Sequence, residues 1–411
     1  MNTSASITSS GNIIYINDLS SPHILKRFAS ALKTTVYKKG YQDIVIDVNT
    51  NSSYFPNVLV PVCGIIEHFI DEGVGIDVLQ NGRSQLRRLI TPYNPAIDIF
   101  ELSKPLSKIW RFTNTQEICD IQKSIISELR KEDVFADGVL EGIEWSINEI
   151  MDNVLNHSQA KIGFIMSQLH KTTKHVAFTI FDSGIGIYNS FKHSDHKVRS
   201  VEDALTICLQ EGVTRDSKIG QGNGMCGLFS LIKEGNGILN LSSGLRTYSY
   251  VNGAPRFSDD SVCSLSSELG CTTVDFQLDY SLDISIDKVL TFQGKTFSFT
   301  NLFTDDLEDE FGVLHFSVSD MSEGTGTRES ALRLKNQIIN SVKGQNKRAV
   351  IDFEGVNVVS SSYIDELLAK IFIEIGLFQF NKRISLQHMS PILQKTLQKS
   401  VIQRIIEDYK V

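Results

Sequence analysis

The chain has 411 residues, of which 41% are hydrophobic and 21% charged, a balance that excludes a disordered or fibrous protein and predicts two or three folded domains. Its net charge of −8 argues against nucleic-acid binding, which needs a basic surface to neutralise phosphates. The most apolar run, Asn57 to Ile70, contains Pro61, Gly64 and Glu67 and is too short to span a bilayer, so no membrane partner is expected.

Residues 1–11 are rich in Ser and Thr and lack the basic-then-apolar layout of a signal peptide; they read as a disordered leader. Six cysteines (63, 119, 208, 226, 263 and 271) show no zinc-type spacing, so reduced thiols in a cytoplasmic protein are expected. A β-branched run from Asn12 to Ile16 predicts a strand, and a helical pattern follows from Pro22 to Tyr37. Asp43 to Val48 reads as a buried strand, and after a polar loop a second apolar helix reaches Glu72.

Residues Gly138 to His157 predict a helix with two stripes. Ile143, Ile147, Ile150 and Val154 form a core face, while Glu149, Asn153 and His157, four apart, form a polar row. An amide oxygen such as that of Asn153 suits Mg²⁺, and a carboxylate one turn away can activate a water beside a phosphate. Such rows are also common on plain surface helices. An apolar strand, Val176 to Phe181, then runs into Asp182-Ser-Gly184-Ile-Gly186. Here glycines permit close backbone approach and one carboxylate can accept from an exocyclic amine, although an ordinary turn has the same composition.

The run Gly220-Gln-Gly222-Asn-Gly224-Met-Cys-Gly227 opens a helix, Leu228 to Lys233, and presents backbone N–H groups suited to phosphate oxygens. Ile238 to Leu241 reads as a strand followed by Ser243-Gly244, and alternation from Thr272 to Leu278 marks another. Gly294-Lys-Thr296 fails as a P-loop, because Val289 stands where the first glycine is required. His193, Asp195 and His196 read as a solvated loop, while Arg215 and Lys218 suit either a phosphate or a plain surface.

The C-terminal part predicts a strand at Gly312 to Val318, a helix from Arg328 to Val342, a strand at Ala349 to Phe353 and a helix from Tyr363 to Ile375. Lys343 to Arg348 reads as a solvated helix end. The same order of strand, helix, glycine turn, "VID" strand, polar loop and helix occurs near the N-terminus, as in an internal duplication.

Taken together, Glu149-xxx-Asn153-xxx-His157, Asp182-x-Gly184-x-Gly186, the 220–227 glycines and Thr272 resemble the four boxes of the GHKL ATPase superfamily (gyrase, histidine kinase and mismatch-repair types). The Glu-Asn-His form is most similar to the anti-sigma-factor serine kinases. Two departures are Cys226, an extra residue in the glycine box, and Cys271, where glycine is usual. The resemblance implies an α/β fold with a Bergerat-type sandwich at residues 105–280, binding ATP and Mg²⁺ beneath a lid at 188–219. By that likeness Glu149 is the general base, Asn153 the Mg²⁺ ligand and Asp182 the adenine reader. Gly184 and Gly186 shape the base pocket, Gly220, Gly222, Gly224 and Gly227 hold phosphates, and Thr272 supports the adenine side.

The stretch from Ala349 to Leu368 resembles the STAS family of anti-sigma-factor antagonists, with Ser361 nearest the phosphoacceptor position; Ser360 and Tyr363 replace the usual Asp and Gly, and three hydroxyls are also ordinary N-cap chemistry. Residues 290–411 are thus expected to be a STAS-like domain and residues 12–100 a second, both small, α/β and flanking the sandwich. The resemblance implies a bacterial regulator, a slow ATP-hydrolysing switch acting on a protein partner through these domains, with an ATP-dependent homodimer. The alternatives are an anti-sigma-type serine kinase and a non-catalytic nucleotide-sensing scaffold.

Overall fold

The apolar run Pro56–Asp71 forms helix α2, and it is hydrophobic all round because sheets lie on both sides of it. Val58, Leu59, Val60, Val62, Cys63, Ile65 and Phe69 are all buried, and water is reached mainly at the C-terminal end, where Glu67 and His68 are half-buried and Ile70 and Asp71 exposed. The computed structural model describes residues 6–48, 54–80, 90–192, 198–213, 223–259, 265, 270–292, 295–296, 307–322, 324–343, 347–356 and 359–408. The chain divides into two compact units. The first comprises Met1–Ile125, Gly142–Tyr280 and Ile284–Phe297; the second comprises Ile126–Glu141, Ser281–Asp283 and Ser298–Val411.

In the first unit, β1 (Ile7–Ser10), β2 (Ile13–Ile16), β3 (Asp43–Val48) and β4 (Gly75–Gln80) form a sheet in that order. β1 and β2 are an antiparallel hairpin, while β2, β3 and β4 are parallel, joined by α1 (Ile24–Lys33) and α2. The expected disordered leader is corrected here. Its polar sequence Ile-Thr-Ser-Ser hides an edge strand, closed on β2 by Gly11 at φ +60°, a backbone conformation that glycine adopts without strain.

A second, wholly antiparallel sheet has the order β10-β9-β8-β11-β7-β6-β5. Its strands are β5 (Trp110–Phe112), β6 (Gly163–His170), β7 (His175–Asp182), β8 (Ile238–Ser243), β9 (Arg246–Val251), β10 (Ala254–Ser258) and β11 (Thr272–Asp279). Strand alternation sorts its residues onto two faces. Phe164, Met166 and Phe181 point to α2 and share one core with Ile14, Ile16, Ile44 and Ile46 of the first sheet. The opposite face is covered by α3 (Thr115–Glu132), α4 (Val139–His157) and α7 (Gly224–Glu234), with α5 (Gly186–Lys192) and α6 (Val201–Ile207) between β7 and β8. The expected core stripe of α4 is buried: Ile143, Ile147, Ile150 and Val154 are at most 4% exposed. Buried Gln122 of α3 donates to the Glu144 carbonyl of α4 at 2.9 Å. A two-residue pair, β12 (Thr291–Phe292) and β13 (Lys295–Thr296), follows.

The second unit holds a parallel sheet, β14 (Val313–Ser317), β15 (Arg348–Asp352) and β16 (Ile384–Gln387), with β15 in the centre. α8 (Arg328–Lys343), the helical turns Ser361–Ile364 and Asp365–Ala369, α9 (Lys370–Arg383) and α10 (Pro391–Asp408) accompany it. The predicted helix end at Ile375 coincides with a break at Gly376, where φ is +78° and ψ 158°. The strand–helix–strand–helix–strand order of β2 to β4 thus recurs in β14 to β16. No helix among the described residues is long and apolar enough to cross a membrane.

Asn340 of α8 anchors the segment Ile126–Glu141 within this unit. Its side-chain amide donates to the Arg130 and Asp133 carbonyls at 3.0 and 2.9 Å, and its oxygen accepts from the Phe135 N–H at 2.9 Å. Truncation leaves three backbone groups to find other partners in a buried setting. Asn340→Ala is expected to lower stability by about 2–4 kcal/mol, measured by urea unfolding.

Candidate functional site

Asp182 is the last residue of β7 and pairs in register with Thr272, the first of β11. The Asp182 carboxylate is 4% exposed; it accepts from the Gly184 N–H at 2.9 Å and from the Thr272 hydroxyl. Burial pushes its pKa up to about 7, and the two donors hold it from rising further. The turn that follows is tied down on three sides. A Cβ on Gly184 would stand 2.1 Å from the Ser158 carbonyl oxygen, which accepts from the Ile185 N–H at 2.9 Å. The Cys271 N–H donates to the Gly184 carbonyl at 3.1 Å, and Ser243 Oγ accepts from the Ile187 N–H at 2.8 Å while donating to the Cys271 carbonyl at 3.0 Å. Gly186 has φ +77° and room for no side chain, its missing Cβ lying 2.8 Å from Ser243 Oγ.

Across from this turn runs the polar row of α4. Glu149 and Asn153 face Gly224, the first residue of α7; a Cβ there would meet Glu149 Oε2 at 2.7 Å and Asn153 Nδ2 at 3.4 Å. The α7 N-terminus, with its outward N–H groups and positive dipole end, therefore opens beside the carboxylate and the amide. Burial, with the charge of Asp152 adding to it, raises the Glu149 pKa, and burial alone raises that of Asp152. Both acids are held closer to the range where a carboxylate exchanges protons at neutral pH.

A cavity of about 350 Å³ lies among these groups. Glu149, Asn153, His157, Asp182, Gly186, Gly224 and Thr272 all line it, so residues from α4, β7, α7, β11 and the turn after β7 meet in one place. From the segment expected to form a lid, Ser190, Phe191, Cys208 and Val213 contribute to its wall. Gly227 does not. Its N–H is taken by the Asn223 carbonyl at 2.8 Å, and it lets α7 approach α4 so closely that a Cβ would stand 2.1 Å from Trp145. Gly184 acts through the turn and Asp182 rather than through the wall. Gly220 and Gly222 lie outside the described residues, as do His193, Asp195, His196, Arg215 and Lys218.

Several wall residues were not anticipated. Asp152 and Asn156 complete the polar face of α4, and the spacing 149, 152, 153, 156, 157 is the signal that would have shown them. Ser158 and Ser243 hold the turn through hydroxyl and carbonyl groups, and only their position at element ends hints at this. Cys271 has φ +42°, which explains why a glycine is the easier residue there. In the second unit, Ser360 caps its helical turn by accepting from the Tyr363 N–H at 3.0 Å, leaving Ser361 exposed at the first helical position.

Residues 330–394 match a family described as a STAS-like domain of unknown function (DUF4325), so the C-terminal part carries a STAS-like domain. No curated protein matches the chain. Among solved structures, the mycobacterial sensor histidine kinase MprB matches at 13% identity over 42% of this chain and 97% of that chain, with a TM-score of 0.23.

The Asp182 shift gives a pH dependence with a defined sign. Folded Asp182 keeps its proton up to about pH 7, whereas an unfolded aspartate releases it near 3.8. Its contribution to stability is therefore fullest below the ordinary value and declines as pH rises to about 7. Wild type should lose stability relative to Asp182→Asn across that window, by about 4 kcal/mol in urea unfolding at successive pH values. Parallel profiles for the two proteins would contradict the assignment.

Proposed function

We propose that the cavity binds ATP with Mg²⁺ and that the chain is a slow ATP-hydrolysing switch, acting on a protein partner through its STAS-like parts. The observation that carries this reading is the convergence of Glu149, Asn153, Asp182, Gly224 and Thr272, drawn from four separate elements, on one cavity. On this reading the antiparallel sheet with α3, α4 and α7 on one face is a Bergerat-type sandwich.

The donor set fits such a ligand. Asp182, with Thr272 fixing its orientation, accepts from the adenine amine, and Gly186 allows the base plane to approach the backbone. The α7 N-terminus and Gly224 receive the phosphates. Asn153, Asp152 and Glu149 are the oxygen donors available to Mg²⁺, which when bound neutralises phosphate charge. Glu149 takes a proton from the attacking water, and its raised pKa suits that role. The parallel strand–helix order of β2 to β4 supports a second STAS-like part at the N-terminus. By the same family likeness, ATP binding favours a homodimer.

A second reading is favoured by one observation. Ser361 is exposed and is not needed as the cap, so its hydroxyl is free to accept a phosphoryl group from an anti-sigma-type kinase, whether this chain or another copy.

Turnover and equilibrium binding of Mg–ATP separate these readings. Glu149→Gln is expected to cut turnover by at least about a hundred-fold while binding stays within about three-fold. Asn153→Ala is expected to lose the Mg²⁺ dependence of binding. Mass spectrometry after incubation shows phosphate on residues 360–362 only if the kinase reading holds. Binding without turnover or modification would leave a nucleotide-sensing scaffold, and no binding would end the proposal.

A further inference from the structure

On the face of the seven-stranded sheet opposite the cavity, two contacts with α2 go beyond simple coverage. Gly64 of α2 is the first. A Cβ there would lie 2.2 Å from Phe181 Cδ1, 2.3 Å from Phe181 Cε1 and 3.2 Å from Phe164 Cδ2, so the helix backbone rests on the Phe181 ring. Phe181 and Asp182 are consecutive, pointing to opposite faces of β7. Any displacement of the ring is carried through one peptide unit to the cavity carboxylate.

The second contact is polar. Asp275 is buried on the α2 side of β11, three residues from Thr272. It accepts from Thr179 Oγ1 at 2.8 Å, Asn240 Nδ2 at 3.0 Å and Asn57 Nδ2 of α2 at 3.4 Å. One carboxylate thus ties β7, β8 and β11 to the first turn of α2, and a buried acid of this kind is stable only while its donors are in place. Cys271, the neighbour of Thr272, is itself buried in the same core as α2.

We propose that Gly64 and Asn57 of the N-terminal segment are positioning residues for the cavity, fixing the Asp182–Thr272 pair from behind the sheet. The proposal rests on the adenine-nucleotide reading of the cavity, which makes Asp182 and Thr272 the base-recognising pair. The N-terminal segment is then a part of the site rather than an independent module joined to it, because a tethered module needs neither a helix glycine against a sheet ring nor a donor to a buried acid.

The test uses the full chain and two ligands, Mg–ATP and Mg–tripolyphosphate; the second keeps the phosphates and lacks the base. Gly64→Ala is expected to weaken Mg–ATP by about ten-fold and to leave tripolyphosphate within about two-fold. Adding Phe181→Val, which removes both ring carbons that the new methyl meets, Cδ1 and Cε1, should restore ATP affinity. Asn57→Ala serves if Gly64→Ala does not fold, with an ATP-selective loss of about three-fold or more. Equal losses for both ligands, no loss for either, or no recovery in the double variant overturn the proposal. A readout independent of ligand is carbon-13 NMR of the aspartate carboxyl groups in the unliganded chain, with Asp182→Asn used to assign the resonance. Gly64→Ala should displace the Asp182 titration. If wild type binds no nucleotide but the titration moves, the nucleotide reading fails and positioning stands. An unmoved titration overturns positioning.

Discussion

The burial of α2 between two sheets is the constraint on which the rest of the first unit depends. Between Val58 and Ile66 this helix is apolar on nearly every side and needs cover on more than one face, which the parallel sheet with α1 supplies on one side and the antiparallel sheet on the other. The result is one continuous core running from Ile14 and Ile46 through α2 to Phe164 and Phe181. Close packing of that core makes the position of β7 depend on the N-terminal segment, because interiors at this density transmit displacement rather than absorb it.

That dependence matters because the cavity side of β7 ends in a buried carboxylate. Keeping Asp182 out of water is unfavourable, and the chain offsets the cost with the Gly184 N–H and the Thr272 hydroxyl, each supplied by an element that is itself pinned. Ser158 at the end of α4 and Ser243 at the end of β8 hold the turn from two further directions. The carboxylate is thus pre-oriented, with its polarity directed into a cavity that also receives Glu149, Asn153 and the start of α7.

Much of this was readable from residue pattern. The two stripes of the 138–157 helix separated core from cavity residues, since side chains four apart share a face. The strand ending in Asp182 was visible because an apolar run met a Gly-rich turn. Other features were hidden for physical reasons. β1 is polar because it is an edge strand with little to bury, so Ile7–Ser10 looked like part of a leader. The apolarity of α2 was evident, but its cause was not, because pattern does not tell how many layers a helix touches. Gly227 looked like one more phosphate-binding glycine and proves to be a packing glycine against Trp145. The three-way anchoring by Asn340 joins residues more than 200 positions apart, a separation at which local pattern carries no information.

The central claim is that the cavity binds Mg–ATP and that α2 belongs to the same cooperative unit as its walls. Amide hydrogen exchange of the full chain with and without Mg–ATP tests both parts at once, since bound ligand lowers the opening of every element it holds. The account predicts slowed exchange in residues 182–191, 223–228 and 272–274, together with 57–66 on the far side of the sheet. Unchanged exchange in all four segments, or protection confined to regions away from the cavity, would contradict it.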